Sequence, residues 1–168
     1  MKNIMNNLAT LANDFLSQRT IAVVGISSNP QGLANALYKK LKTADRSVIA
    51  IHPAMTTFDG DPCYPDLHSV PQKIDGVFIA ARPENTVLAV DECIALTIPR
   101  VWMHYSFGLQ HSPKSSAGSS VSSAAVERCR QNNISVIPGA CPMMFLEPKD
   151  PFHSCLRWFL SVTGKLNG

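Results

Sequence analysis

Residues 23–41, VVGISSNPQGLANALYKKL, carry the pattern that decides the fold. An apolar run ends at Gly25, a loop of small residues follows, and a helical pattern then begins. Glycine permits the tight turn needed at the end of the run. Ser27, Ser28 and Asn29 supply short polar groups in the loop, and Pro30 suits a helix entry because it has no N–H to leave unpaired. Leu33, Ala36, Leu37 and Leu41 recur at the spacing of one helical face. Lys39, Lys40 and Lys42 gather at the far end of that helix, where its dipole favours cations. A strand, a small-residue loop and a helix in this order open many nucleotide-binding α/β folds. The loop is not the dinucleotide fingerprint G-x-G-x-x-G, because Ser27 stands where the second glycine belongs. A triphosphate loop of the form G-x-x-x-x-G-K-[ST] is also missing.

Working outward, Ile4, Leu8, Leu11 and Phe15 predict an amphipathic first helix. TIAVVG (20–25), SVIAI (47–51), DGVFIAA (75–81), RVWMHY (100–105) and ISVIPG (134–139) read as five short strands buried on both faces. A helix is expected to open at Pro83, with Val87, Val90 and Ile94 on its inner side. Another is expected from about Ser120 to Gln131, ending at the left-handed cap candidates Asn132 and Asn133. Residues 150–164 read as a last helix, capped by Asp150, with Phe152, Leu156 and Phe159 on one face and Trp158 against the sheet. Residues 56–73 read as a turn-rich loop, and 109–120 as a flexible one. The alternation predicts a three-layer Rossmann-like α/β fold: a five-stranded parallel sheet in the order 3-2-1-4-5, with helices on both faces and at both termini, in one domain over 1–168.

The bulk numbers narrow the function. The 168 residues carry a net charge of +3, too little to argue for nucleic acid or a membrane surface. The apolar runs are too short to span a bilayer, and no signal peptide is expected. Cys63, Cys93, Cys129, Cys141 and Cys155 form no C-x-x-C pair, which points to thiols in a reducing cytoplasm. The sequence leaves a homodimer open.

A helix that opens after such a loop suits an anion. A common dinucleotide site places Asp or Glu at the end of the second strand to hold the ribose hydroxyls. Here His52 and Pro53 occupy that place, which argues against NAD. An adenine nucleotide with a phosphorylated ribose remains, and coenzyme A is one. The chain resembles small bacterial CoA-binding proteins with a Rossmann domain, relatives of the nucleotide domain in the α subunit of succinyl-CoA synthetase. The resemblance rests on GISSNP, IHP, DGVFIAARP, RVWMHYSFG, GACPMMFLEP and FHSCLRWFLSVTGKL. It implies that CoA or an acyl-CoA crosses the carboxyl ends of the strands. Ser27, Ser28 and Asn29 would face the diphosphate, and Pro53 the adenosine. Arg82 and Pro83 would border the adenine or ribose phosphate, and Ser106, Phe107 and Gly108 the pantetheine arm. His52 replaces the Asn usual before that proline, and 109–120 is longer than usual.

Three functions follow. The first is a CoA-binding protein without chemistry of its own, for sensing, storage or delivery. The second is an NAD(P)-linked oxidoreductase, or a CoA-transfer enzyme using Cys141 close to His104. The third is an interaction module with an empty crevice. His52, His104 and Cys141 all fall at strand ends, but the expected strand order holds them too far apart to share a metal. Trp102, Cys93, Cys129 and the run Met143-Met144-Phe145 read as core.

Overall fold

The computed structural model describes residues 2–43, 45–106 and 118–147, together with 154, 155, 157, 159 and 162. In chain order the elements are α1 (Lys2–Leu16), β1 (Thr20–Val24), α2 (Leu33–Leu41), β2 (Ser47–Ile51), β3 (Thr57–Phe58), β4 (Asp61–Tyr64), β5 (Gly76–Ile79), α3 (Pro83–Ala95), β6 (Arg100–Met103), α4 (Ser123–Gln131) and β7 (Ser135–Pro138). A 3-10 turn follows at Pro142–Met144. The five apolar runs all become strands, and the fold is Rossmann-like α/β with a mostly parallel sheet.

Among the described residues the sheet has seven strands rather than five, in the order β3-β4-β2-β1-β5-β6-β7. Counting only the five expected strands, the order is 2-1-3-4-5, not 3-2-1-4-5. The stretch read as a loop supplies the reason. Asp59 and Gly60 both take positive φ, 51° and 83°, and make a two-residue hairpin between β3 and β4. β4 then pairs parallel with β2 and fills the place beside it. β5 is left to pair on the other side of β1. The hairpin is held from α2: the buried Tyr38 hydroxyl donates to Asp61 at 2.7 Å, and Lys39 and Lys42 pair with Asp59. The helix-end lysines therefore meet carboxylates as well as the dipole.

Strand residues alternate between two apolar layers. Val23, Phe78 and Trp102 face α1 and α2, beside Leu8, Phe15, Leu37 and Tyr38. Ala22, Val77, Ile79, Val101 and Met103 face α3 and α4, beside Val90, Cys93, Val126 and Cys129. The inner face of α2 is Ala34, Leu37, Tyr38 and Leu41; the expected Ala36 is exposed, so the helix is turned by part of a residue step. Cys93 and Cys129 are fully buried, and burial raises both thiol pKa values, that of Cys129 to about 12. Of the two expected cap residues, Asn133 is left-handed (φ 56°). The described residues of the last segment, 154, 155, 157, 159 and 162, are helical, with Phe159 exposed. Asp150, Phe152, Leu156 and Trp158 lie outside the described residues.

Trp102 centres the first layer. Its ring meets Phe15 edge-on at 5.5 Å, and its indole N–H donates to the Gly139 carbonyl at 2.8 Å. Gly76 makes room for Phe15, since a Cβ there would sit 2.9 Å from the ring. Trp102→Ala removes this packing and leaves the Gly139 carbonyl without its donor. It is expected to cost about 3–5 kcal/mol in chemical denaturation.

Candidate functional site

The site lies at the carboxyl edge of the sheet, where the chain runs outward in opposite directions from β1 and β5. Open α/β sheets form a ligand crevice at such a point. Here it has a volume of about 900 Å³, within the usual range for small-molecule sites. Gly25 draws the two strand ends together. With φ at 109°, it lies so close to β5 that a Cβ would stand 2.3 Å from the Ala80 carbonyl oxygen. No other residue fits without moving a backbone.

Two helices begin at this crevice. α2 has Gly32 at its N-cap, with no side chain capping it among the described residues, and Leu33 and Ala34 line the crevice. The first N–H groups of a helix have no partner within it, so this end offers donors and a positive partial charge. α3 begins with Arg82 as an N-cap that makes no side-chain bond, then Pro83 and Glu84, all three lining the crevice. Arg82 is exposed and forms no ion pair with any described residue.

The loop between Gly25 and Gly32 is held by a residue that the sequence reading passed over. Asn35, 4% exposed, reaches back from the first turn of α2. Its carbonyl accepts the Ser27 N–H at 3.0 Å, and its amide donates to the Ser27 and Asn29 carbonyls at 2.8 and 2.9 Å. The Asn29 side chain accepts the Gln31 N–H. Ser27 thus lines the crevice with its main-chain N–H already bonded, whereas Ser28 and Asn29 are exposed and do not line it. Gly32 was also passed over; a Cβ there would press on the Ser27 hydroxyl at 2.9 Å. The available signal was a polar residue set among the apolar positions of a short helix.

The far wall is His104, just past β6, with Gly118, Ser119 and Ser120. The Ser120 N–H donates to the His104 carbonyl, and the fully buried Thr86 hydroxyl donates to the Ser120 carbonyl, each at 2.8 Å. This ties the segment from 118 to both β6 and α3. The His104 ring meets Phe78 at 6.1 Å, and its Nε2 lies 3.3 Å from the Ser106 hydroxyl. His104 is 7% exposed, and burial pulls its pKa down to about 4, so the ring is neutral at pH 7.

The remaining expected residues lie elsewhere. His52 and Pro53 form a turn past β2, where His52 Nδ1 accepts the N–H groups of Ala54 and Met55 at 3.1 and 3.2 Å. They do not line the crevice. β1 and β5 stand between β2 and β6, so His52 and His104 are further apart than the expected order implies. Cys141 is buried in the α1 layer with Met144 and Trp102, off the crevice wall. Phe107 and Gly108 lie outside the described residues, as do 109–117. Among the described residues no three His, Cys, Asp or Glu gather as a metal site, and no helix is long and apolar enough to cross a membrane.

A family model described as CoA binding domain matches residues 19–147. Over 75 residues the chain is 29% identical to acetate–CoA ligase (ADP-forming) I of Archaeoglobus fulgidus, a match that takes in 45% of this chain and 11% of the ligase. A hypothetical protein from Pyrococcus horikoshii superposes with a TM-score of 0.69 at 23% identity, over 80% of this chain and 87% of that one. The dinucleotide forming acetyl-coenzyme A synthetase 1 of Candidatus Korarchaeum cryptofilum, solved with phosphate and ADP, superposes with a TM-score of 0.59 at 22% identity, over 76% of this chain and 27% of its own. These two likenesses show the fold.

Asn35→Ala removes three bonds from the loop and is expected to cost about 2–3 kcal/mol. Hydrogen exchange at the Ser27 amide should rise with it. His104 gives a pH signature. Above its ordinary pKa of 6.5 the ring is neutral whether the chain is folded or unfolded. As pH falls from 6.5 towards 4, the unfolded chain takes up a proton that the folded one refuses, and stability drops on the order of 3 kcal/mol. His104→Phe should flatten that part of the stability profile, measured by denaturation between pH 7.5 and 4.5.

Proposed function

Because the chain belongs to the CoA binding domain family, we propose that its crevice holds coenzyme A or an acyl-CoA, for sensing or delivery and without chemistry of its own. The observation that carries this reading is the uncapped start of α2 opening into a crevice of about 900 Å³. The diphosphate sits against the Leu33 and Ala34 N–H groups and the Ser27 hydroxyl, as anions do at helix starts. Arg82, free of any described carboxylate, pairs with a phosphate oxygen. Glu84 accepts only, so it suits a ribose hydroxyl or the adenine amino group. Ser28 and Asn29 shape the loop, Pro83 borders the nucleotide, and the adenosine end extends towards the turn at His52 and Pro53, which lies beyond the crevice lining. Ser106 flanks the arm.

A second reading is that the chain holds CoA for a separate catalytic partner. The match to small fractions of two much larger proteins, a ligase and a synthetase, favours it. It predicts the same affinity for CoA and differs in requiring a second chain for turnover.

Isothermal titration separates the coenzyme reading from its rivals. CoA is expected to bind in the micromolar range, with NAD and NADP at least about tenfold weaker, a gap of about 1.4 kcal/mol. Arg82→Ala should weaken CoA roughly tenfold, the worth of one hydrogen bond to a charged group. Tight NAD binding with no response to CoA would overturn the assignment.

A further inference from the structure

His104 poses a problem that the anion site does not explain. A neutral imidazole has one N–H and one bare nitrogen, and both seek partners when buried. Nε2 has the Ser106 hydroxyl, while Nδ1 has no partner among the described residues. The side chain is 7% exposed, so water meets little of it, and an unpaired polar atom at such depth is costly. His104 nevertheless borders the crevice. Its ring is steadied by Phe78 on one side and Ser106 on another, on the face of the sheet that carries α2. The pair is built to meet something that enters the crevice.

Its place selects the ligand group. The start of α2 follows β1, and His104 ends β6, two strands away. That is a lateral separation of about 10 Å at ordinary strand spacing. On the coenzyme reading, the arm leaving the diphosphate carries two secondary amides before its thiol. Amide units of this kind span about 3.5 Å each, so a reach of about 10 Å falls within the amide stretch. We propose that His104 is a specificity-determining residue that hydrogen-bonds an amide of the pantetheine arm through the ring nitrogen that Ser106 leaves unused. A secondary amide offers both a donor and an acceptor, so either tautomer of the ring finds a partner. The residue thus separates arm-bearing nucleotides from bare ones.

The inference rests on the coenzyme reading, and the test keeps the two apart. Wild type, His104→Phe and His104→Gln are titrated with CoA and with adenosine 3′-phosphate 5′-diphosphate, which keeps the diphosphate and lacks the arm. His104→Phe should weaken CoA roughly 3- to 10-fold, the worth of one neutral hydrogen bond. It should leave binding of the armless nucleotide unchanged, and His104→Gln should recover most of the loss. The Phe variant should also unfold no more easily than wild type at pH 7, because it replaces a buried unpaired atom with an apolar edge. Equal losses for both ligands, or an unchanged CoA affinity in His104→Phe, would overturn the role. If wild type binds the armless nucleotide as tightly as CoA, the arm contact fails while the nucleotide site stands. If wild type binds neither, the coenzyme reading itself falls, and the role falls with it.

Discussion

The contact between Gly25 and Ala80 sets everything at the carboxyl edge of the sheet. The backbone of one strand end passes the carbonyl of the next at a distance that admits no side-chain carbon. Ala80 answers by donating its N–H to Val24 at 2.8 Å. Two strand ends held this tightly release their helices to opposite faces, and both helices begin at the same gap. A right-handed crossover on each side of β1 makes that divergence obligatory. The crevice is therefore a product of backbone geometry, and the helix-start N–H groups that open into it owe their positions little to rotamer choice.

Side chains then fix what the backbone leaves loose. Asn35 satisfies one donor and two acceptors of the loop above α2, so two loop residues, Ser27 and Asn29, are held by one buried amide. Thr86, Ser120 and His104 do similar work on the far wall. Both devices use short polar side chains in places where apolar ones would leave the loops' carbonyls and amides unpaired. A preformed site needs such supports, since each bond settled beforehand is ordering entropy that a ligand need not supply.

Much of this was legible in the residues. The five apolar runs were readable because a strand buried on both faces needs β-branched and aromatic residues at nearly every position. The places of Gly25, Ser27, Arg82 and Pro83 at a strand end and two helix starts were readable because such positions carry strong local signatures. The hairpin was not, although Asp59-Gly60 is a known turn signal. Its strands are two and four residues long, one of them contains Pro62, and Tyr38, Lys39 and Lys42 on a separate helix hold them. The strand order failed with it, because what occupies the place beside β2 is a tertiary matter. Asn35 was missed because an Asn in a helix usually faces water, and only its depth reveals its task.

The two margins of the sheet have a consequence for how the chain behaves in company. On one side the outermost strand is a mere two residues, backed by a strand that carries Pro62. On the other, β7 ends in Pro138, which has no N–H to offer. Among the described residues, neither rim presents a long ladder of unpaired amides on which a neighbouring polypeptide could template itself. A largely parallel sheet, slow to assemble and sticky while incomplete, is thereby given two blunt borders against polymerisation.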